Sequence, residues 1–178
     1  MTTVHTIGHS TRTVAEVADL LRENGVTRLV DVRRFPGSRR LPQWGREAVE
    51  AALPADIDYR WLPALGGRRH TPAGTPTVNE GWRVKAFRDY ADYMATHAFR
   101  DGLDELWRLA EERPAAIMCS EALPWRCHRR LITDALIVRG AEVVDILGPH
   151  STRPAELTTF ARQEGGTLTY PAAAVAQG

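Results

Sequence analysis

Ala115-Ala-Ile-Met-Cys119-Ser-Glu121-Ala-Leu-Pro-Trp125-Arg-Cys127-His128-Arg129-Arg130 decides how the rest of the chain is read. Ala115 to Cys119 is an unbroken apolar run, the pattern of a strand buried on both faces. A helix is predicted from Trp125 to Arg139, because Leu131, Ile132, Ala135 and Leu136 recur on one side and Gly140 supplies a stop. Glu142 to Leu147 is a second nearly continuous apolar strand. Continuous apolar strands suit a parallel sheet covered on both sides by helices. Between the first strand and the helix lie both cysteines of the chain, a histidine, a carboxylate and arginines.

Outward from this segment the same architecture repeats. Val4 to Ile7 reads as a strand ending at Gly8-His9-Ser10. Thr13 and Glu16 have the spacing of a capping box, Val14, Val17, Ala18 and Leu21 follow at helical period, and Gly25 marks the end. Arg28 to Val32 is the next strand, so strand, helix and strand suggest a right-handed parallel crossover. A Pro/Gly loop leaves it at Arg33 to Arg40, a short helix covers Arg46 to Leu53, and Asp58 to Leu62 is a third strand. Pro63 to Gly81 shows no period, and aperiodic loops of that length often act as binding loops or lids. Two helices follow, one through Val84, Phe87, Ala91, Met94 and Ala95, the other starting after Phe99 with Leu103, Leu106, Trp107 and Ala110. After Pro149 the pattern of Leu157, Phe160 and Ala161 suggests a tail helix, Thr167 to Tyr170 an edge strand, and the last residues a frayed end. The fold class expected is α/β, a single domain with a mostly parallel sheet flanked by helices. Residues 1–150 form its body and 151–178 an extension packed on it.

Composition narrows the function classes. The 178 residues fit one domain, and a net charge of +1 makes no global demand for nucleic acid or membrane. Of 23 basic residues only Lys85 is lysine. Genomic base composition explains most of that bias, although Arg also binds anions bidentately where Lys does not. Two cysteines are too few for a disulfide framework, no N-terminal leader pattern is present and no long apolar span occurs. A cytoplasmic protein with reduced thiols, away from membranes, is the expectation.

Ligands of open α/β sheets bind outside the carboxyl ends of the strands. Three predicted strands end there in polar groups: Gly8-His9-Ser10, Asp31 with Arg33, and Cys119-Ser120-Glu121. A helix starting near Trp125 would point its free N–H groups at the same edge, and Arg33, Arg39, Arg126 and Arg129 would add donors, a combination that favours an anion. Cys119 is a candidate nucleophile, acidified by the helix start and by Arg, or else a small buried apolar residue. Cys127 is read as the structural thiol of the two. His9 or His128 is the candidate acid/base. His128 projects from the buried helix face, which also suits a structural histidine. Asp31 is a candidate general acid/base or orienting carboxylate, or else an Arg-paired buried carboxylate, and Glu121 is the alternative orienting carboxylate. Ser10 and Trp125 complete the candidate binding residues. The spacing Cys-x7-Cys-His matches no common zinc pattern and differs from CxxC, so neither a metal nor another cofactor is expected.

Five motifs resemble the family catalogued as domain of unknown function 488. They are Thr6-Ile-Gly-His-Ser10, Asp31-Val-Arg-Arg-Phe-Pro-Gly-Ser-Arg39, Leu65-Gly-Gly67, Phe87-Arg-Asp-Tyr-Ala-Asp-Tyr-Met94, and Met118-Cys-Ser-Glu-Ala-Leu-Pro-Trp-Arg-Cys-His-Arg129. They fall in order and span most of residues 5 to 147. The resemblance implies a soluble, mostly prokaryotic α/β domain and supplies no settled activity. Three functions therefore stay open: an enzyme acting on an anionic nucleotide- or nucleic-acid-like substrate, a non-catalytic module binding the same ligands, and a thiol redox or metal protein using both cysteines.

Overall fold

Hydrophobic alternation hidden inside the apolar strands builds two cores, one on each face of a sheet. In β4 (Ala115–Cys119) Ala115 and Ile117 join one core, while Ala116 and Met118 join the other. β2 (Arg28–Asp31) and β1 (Thr3–Gly8) divide in the same way, with Val30 and Val4 on the first face and Leu29 and Ile7 on the second. The computed structural model describes residues 1–174. It is a single α/β domain whose six-stranded sheet is flanked by five helices. The strand order is β3-β2-β4-β1-β5-β6, with β3 at Asp58–Trp61, β5 at Glu142–Gly148 and β6 at Ser151–Pro154. All pairings are parallel except that of β6 with β5.

Helices α1 (Val14–Glu23) and α2 (Arg46–Ala52) cover one face. The other carries α3 (Lys85–Tyr93), α4 (His97–Glu112) and α5 (Arg129–Arg139). The capping box of α1 forms: Thr13 Oγ1 accepts the Glu16 N–H at 3.1 Å, and Glu16 accepts the Thr13 N–H at 3.3 Å. The aperiodic stretch after β3 opens with a 3-10 turn at Pro63–Leu65, which Tyr90 and Tyr93 hold by donating to the carbonyls of Leu65 and Ala64 at 2.7 and 2.6 Å.

Two expectations are corrected. Helix α5 begins at Arg129, not Trp125, because Pro124–Arg126 makes a separate 3-10 turn and Cys127 is extended (φ −138°, ψ 158°). Nor is there a tail helix. The chain reverses after Pro149, and β6 lies at the sheet edge, where Pro154 has no N–H to waste. Beyond it β7 (Arg162–Glu164) and β8 (Thr167–Thr169) form a hairpin. Gly165 and Gly166 both have positive φ (55° and 80°), as a two-residue hairpin turn requires. The expected frayed end falls on residues 175–178, outside the described residues.

The segment after β6 is tied to α5 from inside. Asp134, fully buried, accepts the Thr158 N–H at 2.9 Å and the Tyr170 hydroxyl at 2.8 Å, and burial raises its pKa. Tyr170→Phe removes one of two donors to this carboxylate. Hydrogen bonds to charged groups contribute roughly 1.5–3 kcal/mol, so the urea midpoint should fall correspondingly with an unchanged slope. An unmoved midpoint would show that this bond does not anchor the segment.

Candidate functional site

Parallel register brings three strand ends to one edge. The His9 N–H donates to Cys119 O at 2.9 Å, Ser10 N–H to Ser120 O at 3.0 Å, and Val32 N–H to Met118 O at 3.0 Å. Beyond these ends lies a cavity of about 390 Å³, whose wall includes His9, Arg33, Arg68, Cys119, Cys127 and His128. Gly8 makes the approach possible: a Cβ there would sit 1.9 Å from the carbonyl oxygen of Glu121.

The centre of the arrangement is Arg129, whose guanidinium is completely buried. Its Nε donates to Cys119 Sγ at 3.0 Å, Nη1 to Thr6 Oγ1 at 3.1 Å and Nη2 to Glu121 O at 2.6 Å. Its backbone N–H, the first of α5, points at Cys127 Sγ at 3.4 Å. Thr6 in turn donates to Asp145 Oδ1 at 2.7 Å. Among the described residues no carboxylate is within ion-pair distance of Arg129, and the acidic groups in contact with it are the two thiols. A buried guanidinium needs such a partner.

The two thiols share Arg129 and shift each other in opposite directions. Burial pushes the Cys119 thiol well above its ordinary range, reinforced by Cys127. Burial would raise Cys127 as well, but Cys119 and the guanidinium and N–H of Arg129 outweigh it and bring Cys127 down to about 7. Cys127 is thus the lowered sulfur of the pair and Cys119 the raised one. The start of α5 at Arg129 adds to this, since it turns the first N–H of the helix onto Cys127.

Both histidines have their tautomers fixed by backbone carbonyls. His128 Nε2 is 2.8 Å from Val32 O, so it must donate, which leaves Nδ1 unprotonated and facing Cys127 Sγ at 3.5 Å. His9 is reversed. Nδ1 donates to Ser10 O at 2.8 Å, and Nε2 faces Arg33 Nη1 at 3.4 Å. His9 stacks on Trp44 with ring centroids 4.3 Å apart. Burial lowers both imidazoles, His9 to about 4, so both are neutral at physiological pH.

Arg33 is held as a fixed donor. Asp31 takes Nε and Nη2 at 2.8 and 2.6 Å, and Tyr59 donates to the same carboxylate at 2.5 Å. Asp31 is wholly buried and faces these partners. One N–H on each terminal nitrogen of Arg33 stays available toward the cavity. Glu121 lines the cavity and accepts the Leu123 N–H at 3.3 Å. Ser10, with φ 48°, contributes backbone to the strand-end pairing. Arg129 lies behind the wall with its donors engaged. Arg39 is exposed and outside the cavity wall. Trp125 faces a different cavity, of about 490 Å³, beneath the Arg153 guanidinium.

Sequence reasoning missed Thr6, Tyr59 and Phe35. Thr6 carried a faint signal, a polar residue inside an apolar strand. Tyr59 reaches Asp31 only because β3 is the neighbour of β2, which pattern reading does not fix. Among the described residues, no three His, Cys, Asp or Glu side chains are grouped to hold a metal ion.

Opposite tautomers are directly observable. In ¹⁵N-detected imidazole spectra His9 should show the Nδ1–H form and His128 the Nε2–H form, with that of His9 persisting down to about pH 5.5. His9 has a folded pKa near 4 against 6.5 when unfolded. The unfolded chain therefore binds more protons between those values, and this residue's contribution to stability is lost as pH falls through that window. A His9 titration midpoint near 6.5 would contradict the assignment.

No curated protein and no solved structure matches the chain. The model of the family described as Domain of unknown function DUF488 matches residues 13–136. That match includes the ends of β2 and β4, helix α5 as far as Leu136 and the whole Cys119–Arg129 segment. The chain belongs to the DUF488 family.

Proposed function

We propose that this protein is a thiol-dependent enzyme acting on an anionic, nucleotide- or nucleic-acid-like substrate bound at the strand-end cavity. One observation carries the reading. A thiol with an unprotonated imidazole nitrogen 3.5 Å away opens onto a cavity whose wall holds Arg33, Arg34, Arg68 and Arg126 against a single carboxylate, Glu121. Nucleophile, base and charge complementarity are then in one place.

Cys127 is the nucleophile in this scheme. His128 Nδ1 takes the thiol proton and returns it to the leaving group. Arg33, aligned by Asp31 and His9, holds the anionic group, while Arg68 and Arg126 add charge at the mouth. Phe35 is 63% exposed beside the Arg34 guanidinium, 5.1 Å from the ring centroid. An exposed aromatic among arginines is a stacking surface for a base, and stacking contributes about 1–3 kcal/mol per base.

A thermal-shift screen with nucleoside monophosphates, sugar phosphates, inorganic phosphate and short single-stranded oligonucleotides tests the binding half. Phosphate-bearing members should raise Tm, more at low salt. Arg68→Ala should abolish the shift, and Arg33→Ala should do so provided Asp31 tolerates the loss. Cys127→Ser should retain binding and lose conversion of any hit, followed by mass spectrometry. Binding that survives alkylation of Cys127, with no conversion in any arm, would instead identify a non-catalytic binding module.

A further inference from the structure

A nucleophile needs one sulfur, yet the site holds two. Cys119 is 2% exposed and is touched by the arginine that also touches Cys127, at 3.0 and 3.4 Å. Its Sγ also contacts Glu121 O, at 3.7 Å, so its thiol is turned within the loop that carries Cys127. Cys127 occupies extended backbone between a 3-10 turn and α5, and Cys119 ends β4. A bond between the two sulfurs would therefore join the ends of elements and not their interiors. Because Arg129 contacts both sulfurs, it stabilises negative charge on whichever one carries it.

We infer that Cys127 and Cys119 form a dithiol couple that reduces hydroperoxides, with Cys127 as the sulfur attacked by oxygen and Cys119 as the resolving sulfur. The inference rests on the reading of Cys127 as the nucleophile of the site. In the first step the Cys127 thiolate attacks the terminal oxygen of R–O–O–H. The S–O bond forms, the O–O bond breaks, and the alkoxide leaves and takes a proton from water. Cys127 is now a sulfenic acid. In the second step the Cys119 sulfur attacks Cys127 Sγ, the S–O bond breaks, and hydroxide departs with the Cys119 proton as water. The sulfurs lose two electrons in all, and the peroxide becomes an alcohol plus water. An external dithiol restores the pair by exchange.

Arg129 gives the couple a direction. The reduced pair supplies the anion that the buried guanidinium needs, and the disulfide supplies none. The disulfide is therefore disfavoured relative to the dithiol and is readily reduced, as for any couple whose reduced form is stabilised.

The test uses the full-length reduced protein with one equivalent of hydrogen peroxide or cumene hydroperoxide, followed by free-thiol counting and intact mass. Two free thiols should fall to none, with loss of two hydrogens and no added oxygen. Cys119→Ser should stop at the sulfenic acid, trapped by dimedone on residue 127. Cys127→Ser should keep its remaining thiol through the same treatment. Oxygen added to Cys127 while Cys119 remains free, or two thiols unchanged, overturns the inference. Iodoacetamide labelling at pH 7 separates the two readings. Rapid labelling of Cys127 without disulfide formation leaves the nucleophile standing and removes the couple, whereas slow labelling of Cys127 removes both.

Discussion

A positive charge sealed inside the molecule, with no carboxylate within ion-pair distance among the described residues, governs the architecture of the site. Withdrawing a guanidinium from water costs several kcal/mol even after relaxation. Arg129 is held against that cost by a sulfur, a hydroxyl and two carbonyls, those of Glu121 and Ala122. Each acceptor comes from the end of β4, the loop after it or the middle of β1. The loop from Ser120 to His128 takes its shape by turning carbonyls inward onto this cation. Helix α5 starts where it does because Arg129 must enter from the helix's first turn. Acidity at Cys127 is then a by-product of charge balance as much as of helix polarity.

A second cluster faces the first across the cavity. Asp31, Arg33, Tyr59, His9 and Trp44 form a chain of hydrogen bonds and one stacked pair. Here the charges are balanced internally, and the outward result is a single immobilised guanidinium edge. The two clusters work differently. One buries its cation against sulfur, and the other holds its cation by a carboxylate at the cavity wall. His9 and His128 both line the cavity, His9 held by the carbonyl of the next residue, Ser10, and His128 by that of Val32, and burial lowers both.

Much of this was legible from residue pattern alone. Continuous apolar strands, a capping box and glycine stops were enough to place β1, β2, β4, β5 and the helices between them, because local periodicity and burial agree there. The convergence of Gly8-His9-Ser10, Asp31-Arg33 and Cys119-Glu121 followed from parallel topology. Two things were not legible. Pro124 stands just ahead of the expected helix and reads as its first turn, whereas it opens a separate 3-10 turn, so the helix start was placed too early. The tail lacked periodicity strong enough to outweigh Leu157, Phe160 and Ala161, although Gly165-Gly166 carried the hairpin signal. The fate of Arg129 was out of reach too, since sequence gives no sign that an arginine in an Arg-rich chain is the one turned inward.

Gly8 shows how tightly these parts constrain one another. Its missing side chain leaves room for the carbonyl of Glu121, and that carbonyl is an acceptor of Arg129. A position at the end of the first strand therefore fixes the path of a loop more than a hundred residues later. Substitution at Gly8 would not trim the site by degrees. It would move the loop, uncouple the cation and alter both sulfurs together. A side chain at position 8 therefore demands a matching change in the path of the Glu121 loop, so the two segments can be redesigned only together.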